Sequence, residues 1–168
     1  MRATLSVLTL IAVAALLASC GKSQTTSTAA PGEAAPAPAA APAEPTPEQA
    51  KALIAALPAP YNAADLDNGK HKFAQCRSCH TTAQGGPSMT GPNLWGVFGR
   101  KIGSLDGFTY SDGVKAAGFT WDPAHLDTWI TDPRAMIPGT KMTFFGIKDP
   151  KDRVDVIAYL KSETTAPK

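Results

Sequence analysis

The five residues CRSCH, at positions 76–80, constrain this chain more than any other feature of its sequence. Two cysteines at this spacing could form a disulfide, bind zinc or hold a prosthetic group covalently. A structural zinc site needs four ligands, and the chain has no second Cys or His pair at a similar spacing. A disulfide across two residues would be strained, and a thioredoxin-type redox pair would lack the histidine and lie near a βαβ pattern.

The order Cys-x-x-Cys-His is, by contrast, the attachment signature of c-type haem. Each thiol adds to one vinyl group of the porphyrin, and a single turn of chain lets the two sulfurs reach adjacent edges of one ring. The histidine that follows is brought under the iron as its proximal ligand. The pattern therefore predicts one covalently bound haem c, attached through Cys76 and Cys79, with His80 on the iron.

A second protein ligand on the iron would indicate an electron carrier, whereas an open position would allow ligand binding or catalysis at the iron. Three methionines are available in this part of the chain, namely Met89, Met136 and Met142. Met142 follows "PGTK" on a predicted loop, which can bring its sulfur to the far side of a flat ring. Met136 ends an amphipathic run and is interpreted as a core residue.

The N-terminus predicts export. Residues 3–18 are almost all apolar or small, behind a single Arg2. They are short for a membrane span and typical of a secretory signal. The segment ends in "LASC", which resembles the bacterial lipobox. The resemblance implies a signal peptide over residues 1–19, a diacylglycerol thioether on Cys20, and a location on the periplasmic side of a bacterial membrane. The alternative is an uncleaved signal anchor.

Residues 20–45 are interpreted as the lipidated N-terminus and a Pro/Ala-rich linker. Residues 21–45 contain no large apolar side chain, so they cannot bury enough surface to offset ordering entropy and are predicted to be disordered. A short helical segment is predicted over residues 46–60, with a capping box between Thr46 and Gln49 and one apolar stripe. We expect it to lie against the main domain, over residues 61–168. Contact with a partner or a membrane is the alternative.

Residues 67–163 resemble class I cytochrome c, close to the mitochondrial and long-loop bacterial type. Six segments match in family order: "NGKHKFAQCRSCHT", "TGPNLWGVFGRK", "GFTYSDG", "GFTWD", "DPRAMIPGTKMTFFGI" and "DVIAYLK". The resemblance implies an all-α fold, in which a small helical domain wraps around one haem. Helices are predicted over 67–78, 122–132 and 151–163. Val154, Ile157 and Ala158 are expected to face inward, and the Asp149–Asp155 charge cluster is expected to be solvated.

The resemblance also implies roles for individual residues. Cys76 and Cys79 would form the thioethers, while His80 and Met142 would be the axial ligands. The Pro92 carbonyl would accept the proximal imidazole N–H. Four residues would line or hydrogen-bond the haem propionates, and an aromatic ring would lie at the haem edge: Arg100, Tyr110, Trp121 and Thr140, with Phe144 at the edge. The crossing of the first and last helices would use Gly69, Phe73, Tyr159 and Leu160.

The chain departs from the family pattern at three positions. Trp129 stands where a tyrosine is common, Val114 where an asparagine is common, and Trp95 where a histidine is frequent. These differences bear on the redox potential and leave the implied role unchanged.

The formal net charge is only +2, which excludes a strongly basic nucleic-acid binder. The resemblance implies a monomeric, non-enzymatic carrier of single electrons. Its partners would be a quinol–cytochrome c oxidoreductase complex and a terminal oxidase, or else a photosynthetic reaction centre or a periplasmic reductase. Two alternatives stay open. A haem peroxidase or reductase would need a vacant sixth position, and a fixed subunit of one complex could use the helix at 46–57 to stay docked.

Overall fold

The computed structural model describes residues 44–166. The predicted signal peptide, Cys20 and nearly all of the linker therefore lie outside the described residues. The described chain forms six α-helices: α1 (Pro47–Ala55), α2 (Leu66–Phe73), α3 (Asp112–Ala116), α4 (Pro123–Thr131), α5 (Pro133–Met136) and α6 (Pro150–Glu163). Within this range the only β-type pairing is an isolated bridge between Lys101 and Thr120. The all-α prediction is confirmed.

The crossing of α2 and α6 organises the fold. Gly69 is buried at this crossing, where an added Cβ would lie 2.8 Å from the Cβ of Tyr159 and closer still to the carbonyl oxygen of Asp155. Only glycine allows two helix backbones to approach this closely. One turn further along α2, the rings of Phe73 and Tyr159 pack with their centroids 5.5 Å apart. The predicted crossing residues therefore do meet.

Helix α6 is buried over more of its surface than its charge pattern predicted. The expectation of a solvated cluster over 149–155 is wrong for Asp155, whose exposed fraction is 1%. Its carboxylate accepts hydrogen bonds from Lys151 Nζ (2.6 Å), Asn68 Nδ2 (2.7 Å) and the Asp65 backbone N–H (2.9 Å). Val154 is only half-buried, whereas Val156 is fully buried. This burial arises from tertiary packing, because α1 and α2 both cover α6.

Helix α1 lies against α6, in agreement with the first of its two expected arrangements. The Thr46 N–H donates to Gln49 Oε1 (2.8 Å) and the Gln49 N–H donates to Thr46 Oγ1 (3.3 Å), so the predicted capping box is present. Ile54 and Leu57 are buried in one cluster with Ala158 of α6. The α-helix is shorter than the predicted segment and ends at Ala55. No helix in the described part of the chain is long and apolar enough to cross a bilayer.

Helix α2 ends earlier than predicted, at Phe73 and not at residue 78. The chain continues as a 3-10 turn over Ala74–Cys76. The backbone N–H groups of Cys79 and His80 then both donate to the Cys76 carbonyl, at 3.1 and 3.0 Å. This tightened turn holds the two thiols and the imidazole on one short stretch of backbone at the end of α2.

Candidate haem-binding site

An apolar cavity of about 360 Å³ lies among α2, α4, α6 and the loops between them. The cysteine pair and His80 line it, and so does Met142 from a loop more than sixty residues later. Much of its wall is hydrophobic and comes from distant parts of the chain: Phe73, Leu94, Val97, Ile102, Leu126, Ile157 and Leu160. Every sequence-predicted haem residue in the described range lines this cavity.

The His80 imidazole is held by its own loop. Its Nδ1 lies 2.8 Å from the Pro92 carbonyl oxygen, and because a carbonyl only accepts, Nδ1 must carry the proton. The Nε2 lone pair is then left for a metal. Burial lowers the pKa of His80, against the opposing effect of the Pro92 hydrogen bond, so the ring is neutral at pH 7 as a metal ligand must be.

Gly91 makes room for that ring. A Cβ at this position would lie 2.7 Å from the Nδ1 and Nε2 atoms of His80. Sequence reasoning did not select Gly91, although it stands inside the matched segment "TGPN". A glycine is required here because the His80 ring lies close to the backbone, and spacing along the chain does not reveal that contact.

Cys76 and Cys79 are free thiols that are partly buried at the cavity wall. Burial, with a smaller contribution from Cys79, raises the pKa of Cys76 to about 11. The Cys76 sulfur is therefore protonated at neutral pH.

Met142 comes from a loop that its own polar groups organise. Gly139 has φ +79°, and the Thr140 N–H donates to the Ile137 carbonyl at 3.2 Å. The Met142 N–H lies 3.3 Å from Thr140 Oγ1 as its acceptor. Met136 instead packs against the cluster of Ile102, Val114 and Ile137 and does not line the cavity, which agrees with its interpretation as a core residue.

A polar end of the cavity surrounds Arg100. Its two terminal nitrogens donate to the carbonyls of Trp95 and Asn93, both at 3.0 Å. Burial lowers the pKa of Arg100, while nearby Tyr110 opposes that shift. No carboxylate within residues 44–166 lies in salt-bridge range of this guanidinium. The cavity therefore offers a half-buried cation for an anionic group.

Ser111 also indicates that this end of the cavity binds a polar group. Its Oγ is the one buried side-chain nitrogen or oxygen atom without a hydrogen-bond partner in the part of the chain that the structure describes, and Ser111 lines the cavity next to Tyr110. Buried polar groups are normally satisfied, so this hydroxyl indicates a missing acceptor or donor. Sequence reasoning did not select Ser111. A carboxylate-bearing aromatic macrocycle fits this wall: apolar faces, paired thiols, a neutral imidazole and donors at one end.

The family departures also lie near the site. Trp129 lines the cavity and packs edge-on against Trp121, with ring centroids 5.7 Å apart. Val114 is buried and lines it as well. Trp95 contributes its carbonyl to Arg100 and does not line the cavity. Two of the three departures therefore make the wall more apolar, and the third acts only through its backbone.

Comparisons with known proteins agree with this geometry. The family model for cytochrome c matches residues 66–164. Cytochrome c2 of Rhodoplanes tepidamans is 50% identical over 96 residues, which cover 57% of this chain and 90% of the relative. Cytochrome c2 of Blastochloris viridis is 45% identical over 109 residues, covering 65% and 86%.

A solved structure is also similar. Cytochrome cH from Methylobacterium extorquens matches with 46% identity and a TM-score of 0.55, and the match covers 58% of this chain and 98% of that one. The match therefore spans nearly the whole of that protein. On the family match, the relatives and the fold together, the chain belongs to the cytochrome c family as a class I c-type cytochrome, a family that binds haem c covalently and transfers electrons.

Proposed function

We propose that this chain is a membrane-tethered carrier of single electrons, and not an enzyme. The observation that supports electron transfer is that His80 and Met142, from distant segments, line one apolar cavity. When bound, the haem iron supplies a reversible one-electron change. The chain supplies two protein ligands, a wall that excludes water and a fixed geometry.

Residue roles follow from this proposal. Cys76 and Cys79 would hold the haem as thioethers, and His80, through Nε2, and Met142 would supply the two protein ligands of its iron. The Pro92 carbonyl keeps the imidazole in one orientation and increases its basicity. Because both ligands would come from the protein, they would keep the surroundings of the iron alike in its two oxidation states.

The propionates are assigned to the polar end of the cavity. Arg100 supplies the cation there, and Ser111 supplies an unpartnered hydroxyl. Tyr110, Trp121 and Thr140 would be the remaining groups on the propionate side, and Phe144 would pack at the haem edge. A half-buried cation interacts more strongly with a carboxylate than one in water.

Two observations favour this function over its alternatives. A haem peroxidase or reductase needs a vacant sixth position, and the hydrogen bonds within the Thr140–Met142 turn favour a methionine that stays. A fixed subunit would use the apolar stripe of α1 for its complex. Ile54 of α1 and Leu57, which follows the helix, are already packed against α6, which favours a mobile monomer.

The tether and the partners are assigned from the sequence. Cys20 carries the lipid, so the haem domain stays on the periplasmic side of a bacterial membrane. The donor is a quinol–cytochrome c oxidoreductase complex, and the acceptor is a terminal oxidase or a similar partner. A net charge of +2 gives no reason to expect nucleic-acid binding.

Replacing each methionine tests the iron ligand. Met142→Ala should abolish the weak long-wavelength absorption band of ferric haem bound by sulfur, and should lower the midpoint potential, because a thioether ligand raises it. Met136→Leu is the matched control and should keep both. Loss of the band in the Met136 variant, or its persistence in the Met142 variant, would overturn the assignment.

Labelling with a fatty acid tests the tether. The wild-type chain should incorporate label in cells, and Cys20→Ala should not. Label that persists on the variant would exclude Cys20 as the lipid site while leaving the electron-transfer assignment untouched.

A further inference from the structure

Residues 46–65, here named the strap, join the predicted linker to α2 and are fastened to the domain along their length. Ile54 in the first half is 4% exposed and packs against α6. The Tyr61 hydroxyl donates to a backbone carbonyl at the start of α4 at 3.4 Å. The Asp65 N–H donates to the buried carboxylate of Asp155 at 2.9 Å. The strap therefore contacts two helices of the haem-binding domain before α2 begins.

The strap belongs neither to the matched fold nor to the cavity. The family model begins at residue 66, and no residue in the range 44–72 lines the cavity. The outward side of α1 is small or polar, with Glu48, Lys51 and Ala52 exposed. No large apolar side chain of the strap is exposed either. The packing of the strap thus supplies no wall for the haem and no apolar face for a partner.

The packing does decide where the linker joins the domain. With the strap docked, the chain enters the domain at Glu44, whose Oε2 lies 3.6 Å from Lys70 Nζ of α2. Both side chains are largely exposed, so this ion pair contributes little to holding the strap. Without the strap contacts, the chain would first be held at Leu66, where α2 begins. Docking therefore moves the join toward the N-terminus by the length of the strap.

We propose that the strap is a clamp that sets the length of the membrane tether, so that the free chain covers residues 21–45 and not residues 21–65. This inference rests on the proposed tethered carrier and deepens it. As flexible coils these two lengths would average about 28 Å and about 37 Å end to end. Effective concentration falls roughly as the −3/2 power of length once a chain can span the gap, so the longer tether would lower it about twofold.

Releasing the strap is the first part of the test. Ile54→Asp combined with Leu57→Asp should free it, because two carboxylates would otherwise be buried against α6 without partners. Ala52→Asp combined with Ala55→Asp is the charge-matched control, since both of these alanines lie on the exposed side of α1. The haem spectrum and the midpoint potential should be the same in wild type, release variant and control.

Trypsin reports the release directly. Lys51 is the only lysine or arginine between residues 23 and 69, so a cut there, identified by mass spectrometry, is specific to the strap. A docked helix resists proteolysis until it opens locally, and the release variant should be cut at Lys51 roughly tenfold faster than the wild type or the control. Equal cutting rates would mean that the strap is not clamped in the wild type.

Tether length is tested by combining two changes that act in opposite directions. The full-length haem-loaded chain is the sole copy in native-host membranes, and turnover is measured as oxygen uptake. We expect release of the strap to slow turnover about twofold, and deletion of residues 24–43 to slow it by making the tether too short. A chain with both changes has as many free positions as residues 21–45 and should regain most of the wild-type rate. Two purely structural defects would add and not cancel.

Three results would overturn the clamp alone: a combined variant as slow as the slower single one, a release variant with the wild-type rate, or an equal loss in the charge-matched control. A chain secreted with a cleavable, non-lipidated signal peptide in place of residues 1–20 tests the function on which the clamp rests. Release should not affect turnover in that form, because no tether remains.

Failure of the proposed function gives a different pattern. If the non-lipidated chain supports oxygen uptake at the rate of the lipidated wild type, the tether fails and the clamp fails with it. If the wild-type chain supports no uptake at all while its haem spectrum is intact, the carrier function itself fails.

Discussion

Gly69 shows how much of this fold depends on single residues. It is buried where α2 crosses α6, and the space that a Cβ would need is occupied by the backbone of Asp155 and the side chain of Tyr159. Backbone atoms of a packed helix cannot move aside as the end of a flexible side chain can. The same contact holds Phe73 and the CRSCH turn beside the cavity.

Gly69→Ala should therefore separate the two helices. We expect the free energy of unfolding of the haem-loaded protein to fall by about 3 kcal/mol, the upper range for overpacking a tight site. Denaturant titration followed by circular dichroism measures this loss. His71→Ala, on the exposed side of the same helix, should change stability by less than about 0.5 kcal/mol. Equal effects of the two substitutions would mean that the crossing is not tight.

At the scale of elements, helix α6 is held by partners on several sides. Asp155 joins it to the start of α2 through Asn68 and the Asp65 N–H. Helix α1 covers the part of its surface around Ala158. Val156, Ile157 and Leu160 line the cavity on another side. Each contact has a different chemistry, so each can be tested separately.

The Asp155 contact predicts a pH dependence. Burial alone would raise the pKa of Asp155, but hydrogen bonds from Lys151, Asn68 and the Asp65 N–H outweigh it and lower the pKa. A carboxylate with a lowered pKa stabilises the fold above its unfolded pKa of about 3.9. That stabilisation is lost as the pH falls through the lower, folded value.

Asp155→Asn should lower the free energy of unfolding at pH 7 by about 1–3 kcal/mol, because partners of a buried charged acceptor lose their hydrogen bonds. The gap between variant and wild type should narrow below about pH 4. Denaturant titrations at several pH values measure both effects, with Asp67→Asn as the exposed control. A gap that does not change with pH would contradict an ionised Asp155.

Helix α1 gives a prediction about packing. Ile54 is 4% exposed and lies against Ala158, so Ile54→Ala should destabilise the protein by about 2–4 kcal/mol. The haem spectrum should not change, because no residue of α1 lines the cavity. Lys51→Ala, on the exposed side of α1, is the control. Unchanged stability in the Ile54 variant would mean that this face is free for a partner.

At the scale of the whole molecule, weak net charge and a tether would act together. A formal charge of +2 gives little long-range steering toward a partner, since steered association depends on strong complementary fields. A lipid at Cys20 would compensate by confining the haem domain near the membrane, which raises its effective concentration there. Residues 21–45, as a flexible coil, would average about 28 Å end to end and would extend to about 75 Å as polyproline.

Linker length should therefore matter more than linker sequence. Deleting residues 24–43 should leave the spectrum and the midpoint potential unchanged but slow turnover between membrane-bound donor and acceptor. A Gly/Ser replacement of comparable reach should restore most of that rate, measured as oxygen uptake by native membranes. Unaffected turnover in the deletion would reduce the segment to an anchor. Failure of the replacement would reveal a specific contact within residues 24–43.

Features that depend only on neighbours along the chain can be predicted from the residues alone. The CRSCH order specifies haem attachment because two thiols and an imidazole must meet one ring from one turn of backbone. The Thr46–Gln49 capping box and the helix at Pro123–Thr131 follow from local hydrogen bonding and periodicity. The family resemblance added the prediction that Met142 is the loop ligand and the predicted residues at the polar end of the cavity.

Which side chains the other elements cover depends on tertiary packing and could not be predicted from the residues alone. Asp155 reads as a solvated charge in its own helix, yet α2 surrounds it with donors. Ser111 reads as an ordinary loop serine, yet it lines the cavity with its hydroxyl unpartnered. Phe144 and Phe145 are identical in sequence terms, yet one ring packs inward and the other stays exposed. Whether a side chain is buried depends on residues far away in the chain. A local pattern of side chains therefore does not predict it.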